Sequence, residues 1–139
     1  MTGLTTSERR GYQQICGANG AIMTIACDQR GGIRKILAKT PAEEAAISDA
    51  VLGETKADVV RYLAFAAPSI LLDPICALPA VVDHGVLPRD VALIIGLDAS
   101  GYDTSAEGYY LSRLVPGIDA RRVVDALGQA RVLLLDAVG

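Results

Sequence analysis

Four short apolar runs constrain this chain more than any other feature. They are AIMTIAC at 21–27, SILLD at 69–73, VALIIGLD at 91–98 and ARVLLLDAV at 130–138. Runs this short, apolar on consecutive positions, suit strands buried on both faces, as in a parallel sheet. The segments between them carry helical spacing instead. IRKILAK puts Ile33, Ile36 and Leu37 on one side. TPAE at 40–43 is a helix start: Thr40 as N-cap, Pro41 at the first helical position, Glu43 completing a capping box. That helix is expected to run to about Ala66, with Ile47, Val51, Leu52, Thr55, Val59 and Leu63 as its inward stripe. Gly53 is the weak point at which it would break.

Pro68 ends the helix. The segment PICALPAVVDHG reads as a loop with one helical turn, and ASGYDTSAEGYYLSRLVPG as a long irregular loop. Asp119 caps a further helix to Leu127, with Val123, Val124 and Leu127 inward. The order β-α-β-(α)-β-α-β predicts an α/β fold with a parallel sheet and right-handed crossovers.

Each run finishes at an acid: Asp28, Asp73, Asp98 and Asp136. Parallel α/β folds bind ligands at the carboxyl ends of their strands. Taken singly, Asp73, Asp98 and Asp136 read as solvated strand-end caps. The first differs, because Asp28 is followed by Gln29, Arg30 and the pair Gly31-Gly32. An acid, an amide and a guanidinium at the end of a buried strand are chemistry without an evident packing role.

Two architectures fit this order. One is a small doubly wound sheet; the other is the N-terminal half, about four βα units, of a (β/α)8 barrel, whose whole length is about 250 residues. ARVLLLDAV has no helix after it, so in a complete doubly wound domain it would be an exposed apolar edge. That favours an incomplete barrel over residues 19–139, preceded by a polar arm over 1–18 from which Tyr12 and Ile15 dock onto the body.

Composition narrows the function classes. A net charge of -3 and sparse basic residues argue against nucleic acid, which requires a basic face. The N-terminus MTGLTTSERRGYQQ is polar and lacks a signal-peptide core, and no apolar run approaches the roughly 20 residues of a membrane span. Three scattered cysteines, Cys16, Cys27 and Cys76, form no CxxC pair or disulfide framework. A soluble cytoplasmic protein is expected. The single histidine, His84, rules out a histidine-rich metal cluster and reads as a loop residue. Cys27 reads as a buried strand residue. Gly31-Gly32 lacks the spacing of a phosphate loop and serves to turn strand into helix.

Laid end to end, RGYQQI, GAIMTIACDQRGGIRKIL, PSILLDPICALPA, the GYD of LDASGYDT, and SRLVPGIDARRVVDALGQARVLLL carry a resemblance. In order and spacing they resemble the N-terminal half of the class I tagatose-1,6-bisphosphate aldolases and the related sulfofructosephosphate aldolases. The resemblance covers nearly the whole chain from about residue 10.

It implies a (β/α)8 barrel that cleaves a ketose bisphosphate through a Schiff base, giving dihydroxyacetone phosphate and an aldehyde with no metal and no cofactor. It implies that Asp28 orients substrate hydroxyls and moves protons, and that Gln29 hydrogen-bonds the substrate. Arg30 braces the rim, and Asp73 lies near the site. Arg131 stands where the family has a pocket-facing lysine; it keeps the charge but cannot act as a base. The family's Schiff-base lysine lies on the sixth strand and its phosphate loops after the seventh and eighth, none of which falls within these residues.

The lysines present are Lys35, Lys39 and Lys56. All are expected on outer helices, solvated and, with a reference pKa of about 10.4, protonated at neutral pH and so poor nucleophiles. The expectation is an aldolase-family chain inactive alone, taking a phosphorylated sugar with a C-terminal-half partner. The alternative is a non-catalytic fragment or half-barrel that associates with a partner or with itself through open sheet edges.

Overall fold

The computed structural model describes residues 5–108 and 110–114, which fall into two units. The larger spans 14–96 and holds a three-stranded parallel sheet in the order β1-β2-β3. β1 is Thr24–Cys27, β2 Ser69–Leu72 and β3 Ala92–Ile95. The register pairs Cys27 with Leu72 and Leu72 with Ile95, so the three carboxyl ends lie level. Parallel strands alternate with helical segments here, as the order of apolar runs predicts.

Burial is uneven across the sheet. Central β2 is buried at three of its four positions, whereas every residue of β3 is half-buried. The run at 21–27 becomes a strand only at Thr24. Ile22 instead pairs with Cys16 in an isolated antiparallel bridge, and Ile22 and Met23 stay exposed. At the amino ends, Ser69 Oγ lies 2.7 Å from Thr24 Oγ1 and donates to the Met23 carbonyl at 2.8 Å, tying β1 to β2.

The crossover from β1 to β2 contains α2 (Gly31–Leu37), α3 (Pro41–Ala46) and α4 (Asp49–Leu63), followed by a 3-10 turn over Ala64–Ala66. The capping box at Thr40 and Glu43 forms as expected, with Glu43 N donating to Thr40 Oγ1 at 3.2 Å. The helix does not continue to Ala66 and does not break at Gly53. It stops at Ile47, and Ser48 caps a new helix by accepting from the Val51 amide. Arg34 of α2 secures the break: its Nε donates to the Ile47 carbonyl at 3.1 Å, and its guanidinium pairs with Asp49.

That interruption shifts the helical phase. The buried face of α4 is Leu52, Gly53, Lys56, Ala57 and Val60, while Val51 and Leu63 are half exposed. α4 packs on β1 and on a π-helical turn over Pro79–Asp83, the one helical turn foreseen between β2 and β3. Cys27, Ala57, Val60, Ile70, Leu72 and Val81 form the centre of the core.

The smaller unit holds the flanking residues. Helix α1 (Thr6–Ile15) begins there with a capping pair, Thr5 and Glu8, and its last turn belongs to the larger unit, where Ile15 is buried. The segment expected as an irregular loop after β3 is a hairpin. β4 (Asp98–Thr104) pairs antiparallel with β5 (Tyr110–Leu114), with an irregularity between Asp98 and Tyr102. Asp98 therefore opens β4 instead of ending β3. The expected helix from Asp119, the strand at 130–138, and with them Arg131 and Asp136, lie outside the described residues. No helix among the described residues is long and apolar enough to cross a membrane.

Candidate functional site

The level carboxyl ends of the three strands place Asp28, Asp73 and Gly96 at one edge of the sheet. Asp28 follows β1 and is half-buried; Gln29 beyond it is exposed. Arg30 is half-buried and occupies the N-cap position of α2, where its carbonyl accepts from the Arg34 amide at 3.3 Å. Gly31 and Gly32 then form the first turn of α2, the strand-to-helix role read for them.

Asp28 does not stay over its own strand. A Cβ built on Gly96 would lie 3.6 Å from Asp28 Cβ, 3.7 Å from Asp28 Oδ2 and 3.8 Å from the Leu72 carbonyl. Gly96 follows β3, and β2 lies between β1 and β3. The Asp28 carboxylate thus stands over the end of the central strand, and the lack of a side chain at 96 leaves room beside it.

Asp73 is placed differently. It is 2% exposed. Its Oδ1 accepts the amides of Ile75 at 3.0 Å and Cys76 at 2.7 Å, and its Oδ2 is paired with the ammonium of Lys56. Burial alone would raise its pKa. The Cys76 amide, Lys56 and the Ile75 amide outweigh burial and hold the carboxyl below its ordinary value.

Its partner Lys56 is misplaced by sequence reasoning too. It was expected on a solvated outer helix; it has no exposed surface. Hydropathy alone puts lysine outside, and the signal that places it inside is its spacing of i+4 from Leu52 and i−4 from Val60. Lys35 and Lys39 are exposed as expected, although Lys39 lies between α2 and α3, outside any helix.

Two thiols border these charges. Cys27 is buried at the end of β1, as read from the sequence, and burial raises its pKa; Lys56 opposes that shift, while Asp28 and Asp73 add to it. The Cys76 thiol is pushed up to about 11, by burial first and then by Asp73 and Asp49. Neither sits where a thiolate is favoured. Among the described residues, no three of His, Cys, Asp and Glu gather closely enough to hold a metal ion. His84 is exposed, at the end of the Pro79–Asp83 turn.

The arrangement is therefore an accessible acid and amide, Asp28 and Gln29, at the open edge of a parallel sheet, above a buried ion pair. It can orient hydroxyls and exchange protons. No family profile matches the chain. It is similar to curated proteins named tagatose 1,6-diphosphate aldolase. The Streptococcus agalactiae (serotype V) protein is 36% identical over 104 residues, 75% of this chain and 30% of that protein. The Lactococcus lactis protein is 33% identical over 103 residues, 74% of this chain and 30% of that protein. A Staphylococcus aureus protein is 34% identical over 96 residues, 69% of this chain and 28% of that protein. Over this stretch the chain is a relative of the tagatose 1,6-diphosphate aldolases, and it spans about 30% of their length.

Proposed function

We propose that this relative of the tagatose 1,6-diphosphate aldolases is the N-terminal part of a (β/α)8 barrel, with residues 19–139 supplying about four βα units. In this reading it takes part in retro-aldol cleavage of a ketose bisphosphate such as tagatose 1,6-bisphosphate in the cytoplasm. The single observation that carries the reading is the 36% identity over 104 residues to an aldolase. The position of Asp28 at the carboxyl edge of the sheet supports it, because that is the edge at which barrel enzymes bind substrate.

The chemistry divides as follows. An amine condenses with the substrate ketone, releasing water and leaving an iminium. Cleavage of the bond between the carbons α and β to the iminium sends its electron pair toward the iminium and gives an enamine. The hydroxyl on the departing carbon loses its proton and becomes the aldehyde carbonyl. Protonation of the enamine and hydrolysis return the amine and release dihydroxyacetone phosphate. Asp28 is the group placed to take and return protons, and Gln29 to hydrogen-bond a substrate hydroxyl. Arg30 braces the rim, and Arg131 adds positive charge for the phosphorylated substrate. Asp73 belongs to the same edge, from beneath.

The amine comes from none of the three lysines. Lys35 and Lys39 are exposed, and Lys56 is enclosed and paired with Asp73. In this reading the reaction draws its nucleophile from outside these residues, from the C-terminal part of the barrel. A second reading is a non-catalytic half-barrel that binds a partner or another copy of itself. It draws on the outer edges of β1 and β3, against which no strand is paired among the described residues.

Co-expression with the remaining C-terminal part of the Streptococcus agalactiae aldolase tests the choice. Cleavage of tagatose 1,6-bisphosphate, followed by release of dihydroxyacetone phosphate, is expected from the pair and not from either part. Borohydride reduction with substrate should label no lysine of this chain. A labelled Lys35, Lys39 or Lys56 would overturn the assignment, and a stable but inactive pair would favour the second reading.

A further inference from the structure

Lys56 is unused by the chemistry above, and its burial is unusual. A lysine is almost never fully enclosed unless it is paired. The other buried members of its helix face are Leu52, Gly53, Ala57 and Val60, so an apolar residue would suit position 56. Replacing a buried ion pair by apolar groups is often neutral or stabilising, so packing alone does not account for the charges.

The surroundings indicate what they hold. Asp73 Oδ2 takes Lys56, and Asp73 Oδ1 takes the amides of Ile75 and Cys76, so the carboxylate is filled from within the protein. One turn before Lys56, α4 meets the same turn again. A Cβ on Gly53 would lie 2.6 Å from the Cys76 carbonyl oxygen and 3.0 Å from Ala80 Cβ. α4 thus grips the turn over 74–76 at two points, by close backbone approach at Gly53 and by charge at Lys56. That turn leaves the strand end over which Asp28 stands.

We infer that Lys56, Gly53 and Asp73 form a clamp that fixes the turn at the carboxyl end of β2, with Lys56 a positioning residue for the Asp28 site. Asp73 then acts through the turn and not by touching substrate. The clamp stands on the geometry alone; the positioning role rests on the aldolase reading.

The test has one arm for each part. In the chain itself, iodoacetamide labelling of Cys76 and Cys27 is followed by mass spectrometry in wild type, Lys56→Met, Asp73→Asn and the double variant Lys56→Met/Asp73→Leu. The double variant removes both charges and fills the space, so neither charge is left buried without its partner, and circular dichroism checks that it is folded. With each rate referred to its thiolate fraction from a pH–rate profile, because loss of Asp73 also lowers the Cys76 pKa, the clamp predicts at least tenfold faster labelling of Cys76 in the double variant, with Cys27 little changed. Equal acceleration of both thiols, or of neither, overturns it.

The singles add a signed readout. Loss of Asp73 should lower the pKa of Cys27 and loss of Lys56 should raise it, which general loosening would not do. In the reconstituted pair, the double variant should lower kcat at least tenfold with KM within twofold. Full activity there would leave the clamp standing and overturn the positioning role. If wild type gives no cleavage, the aldolase reading fails and the positioning role with it, while labelling still decides the clamp.

Discussion

The carboxylate of Asp28 lies beside the open side of Gly96: a Cβ at position 96 would stand 3.7 Å from its Oδ2, across the end of β2, although their own strands are not neighbours in the sheet. The space left by the missing side chain thus adjoins the acid that follows the first strand. It also makes position 96 a control on how that acid is aimed.

Substitution at Gly96 should therefore act by size. An alanine Cβ would find its nearest atoms at 3.6–3.8 Å, an ordinary contact distance. A valine adds two methyls that reach the carboxylate. Gly96→Val is expected to lower cleavage in the reconstituted pair by roughly tenfold or more, because small misplacements of a reacting group are costly. Gly96→Ala should do much less. Both should keep a wild-type urea midpoint, and equal activity in the two variants would show that the space at position 96 does not aim Asp28.

What the sequence revealed follows from which forces are local. The Thr40–Glu43 capping box and the turn at Gly31-Gly32 depend on adjacent residues and were legible. So were the three apolar runs that became β1, β2 and β3. The phase of α4 was not, because Arg34, fifteen residues before Asp49, fixes the break at Ile47. Nor was the hairpin of β4 and β5, whose strands carry Gly101 and several polar residues and lack alternating hydrophobicity. At the site, Asp28 and Gln29 were found through DQRG, whereas Lys56 was missed because its partner Asp73 lies seventeen residues away and only the fold brings them together.

The two caps in the β1–β2 crossover should each carry measurable stability. Thr40 accepts from the Glu43 amide at 3.2 Å and Ser48 from the Val51 amide at 3.3 Å. Thr40→Ala and Ser48→Ala are each expected to cost about 1 kcal/mol, the usual effect of losing a side-chain cap. Urea denaturation followed by circular dichroism gives the values. A loss at Ser48 alone would mean that α3 frays without consequence for the core.

Asp73 sets an acid limb on stability. Its folded-state pKa is depressed: burial pushes it up, and the Cys76 amide, Lys56 and the Ile75 amide more than reverse this. The unfolded chain therefore binds the proton more readily, so the contribution is complete above about pH 4 and is lost as pH falls through the folded value. Urea midpoints between pH 3 and pH 6 should fall more steeply at the acid end in wild type than in Asp73→Asn. At pH 7 the variant should be less stable, since it leaves Lys56 buried without its counter-charge.

The three thiols should separate by exposure. Cys16 is half-buried, whereas Cys27 and Cys76 are buried, with burial raising both and carrying Cys76 to about 11. At pH 8 an aromatic disulfide reagent should titrate Cys16 in the folded chain and release the other two only in urea. Fast reaction at Cys76 in the native chain would contradict the packing of α4 against the turn after β2.

Glycine-to-alanine exchange should have opposite signs at two helical positions. In an exposed helix interior the exchange gains up to about 1 kcal/mol, because glycine carries the larger backbone entropy cost. Gly32, in the first turn of α2, shares part of that gain: it is exposed, and only Gln29 Cβ, at 3.8 Å, comes within 4 Å of the new methyl. Gly32→Ala should raise the urea midpoint. Gly53 in α4 offers the same propensity gain and no space, with the Cys76 carbonyl oxygen at 2.6 Å and Ala80 Cβ at 3.0 Å from the new atom. Neither neighbour is the end of a flexible side chain, so helix and turn must separate. Overpacking of this kind costs about 1–3 kcal/mol, which exceeds the propensity gain over most of that range. Gly53→Ala should therefore lower the midpoint, and an increase there equal to that of Gly32→Ala would mean that α4 does not approach the turn as closely as these distances state.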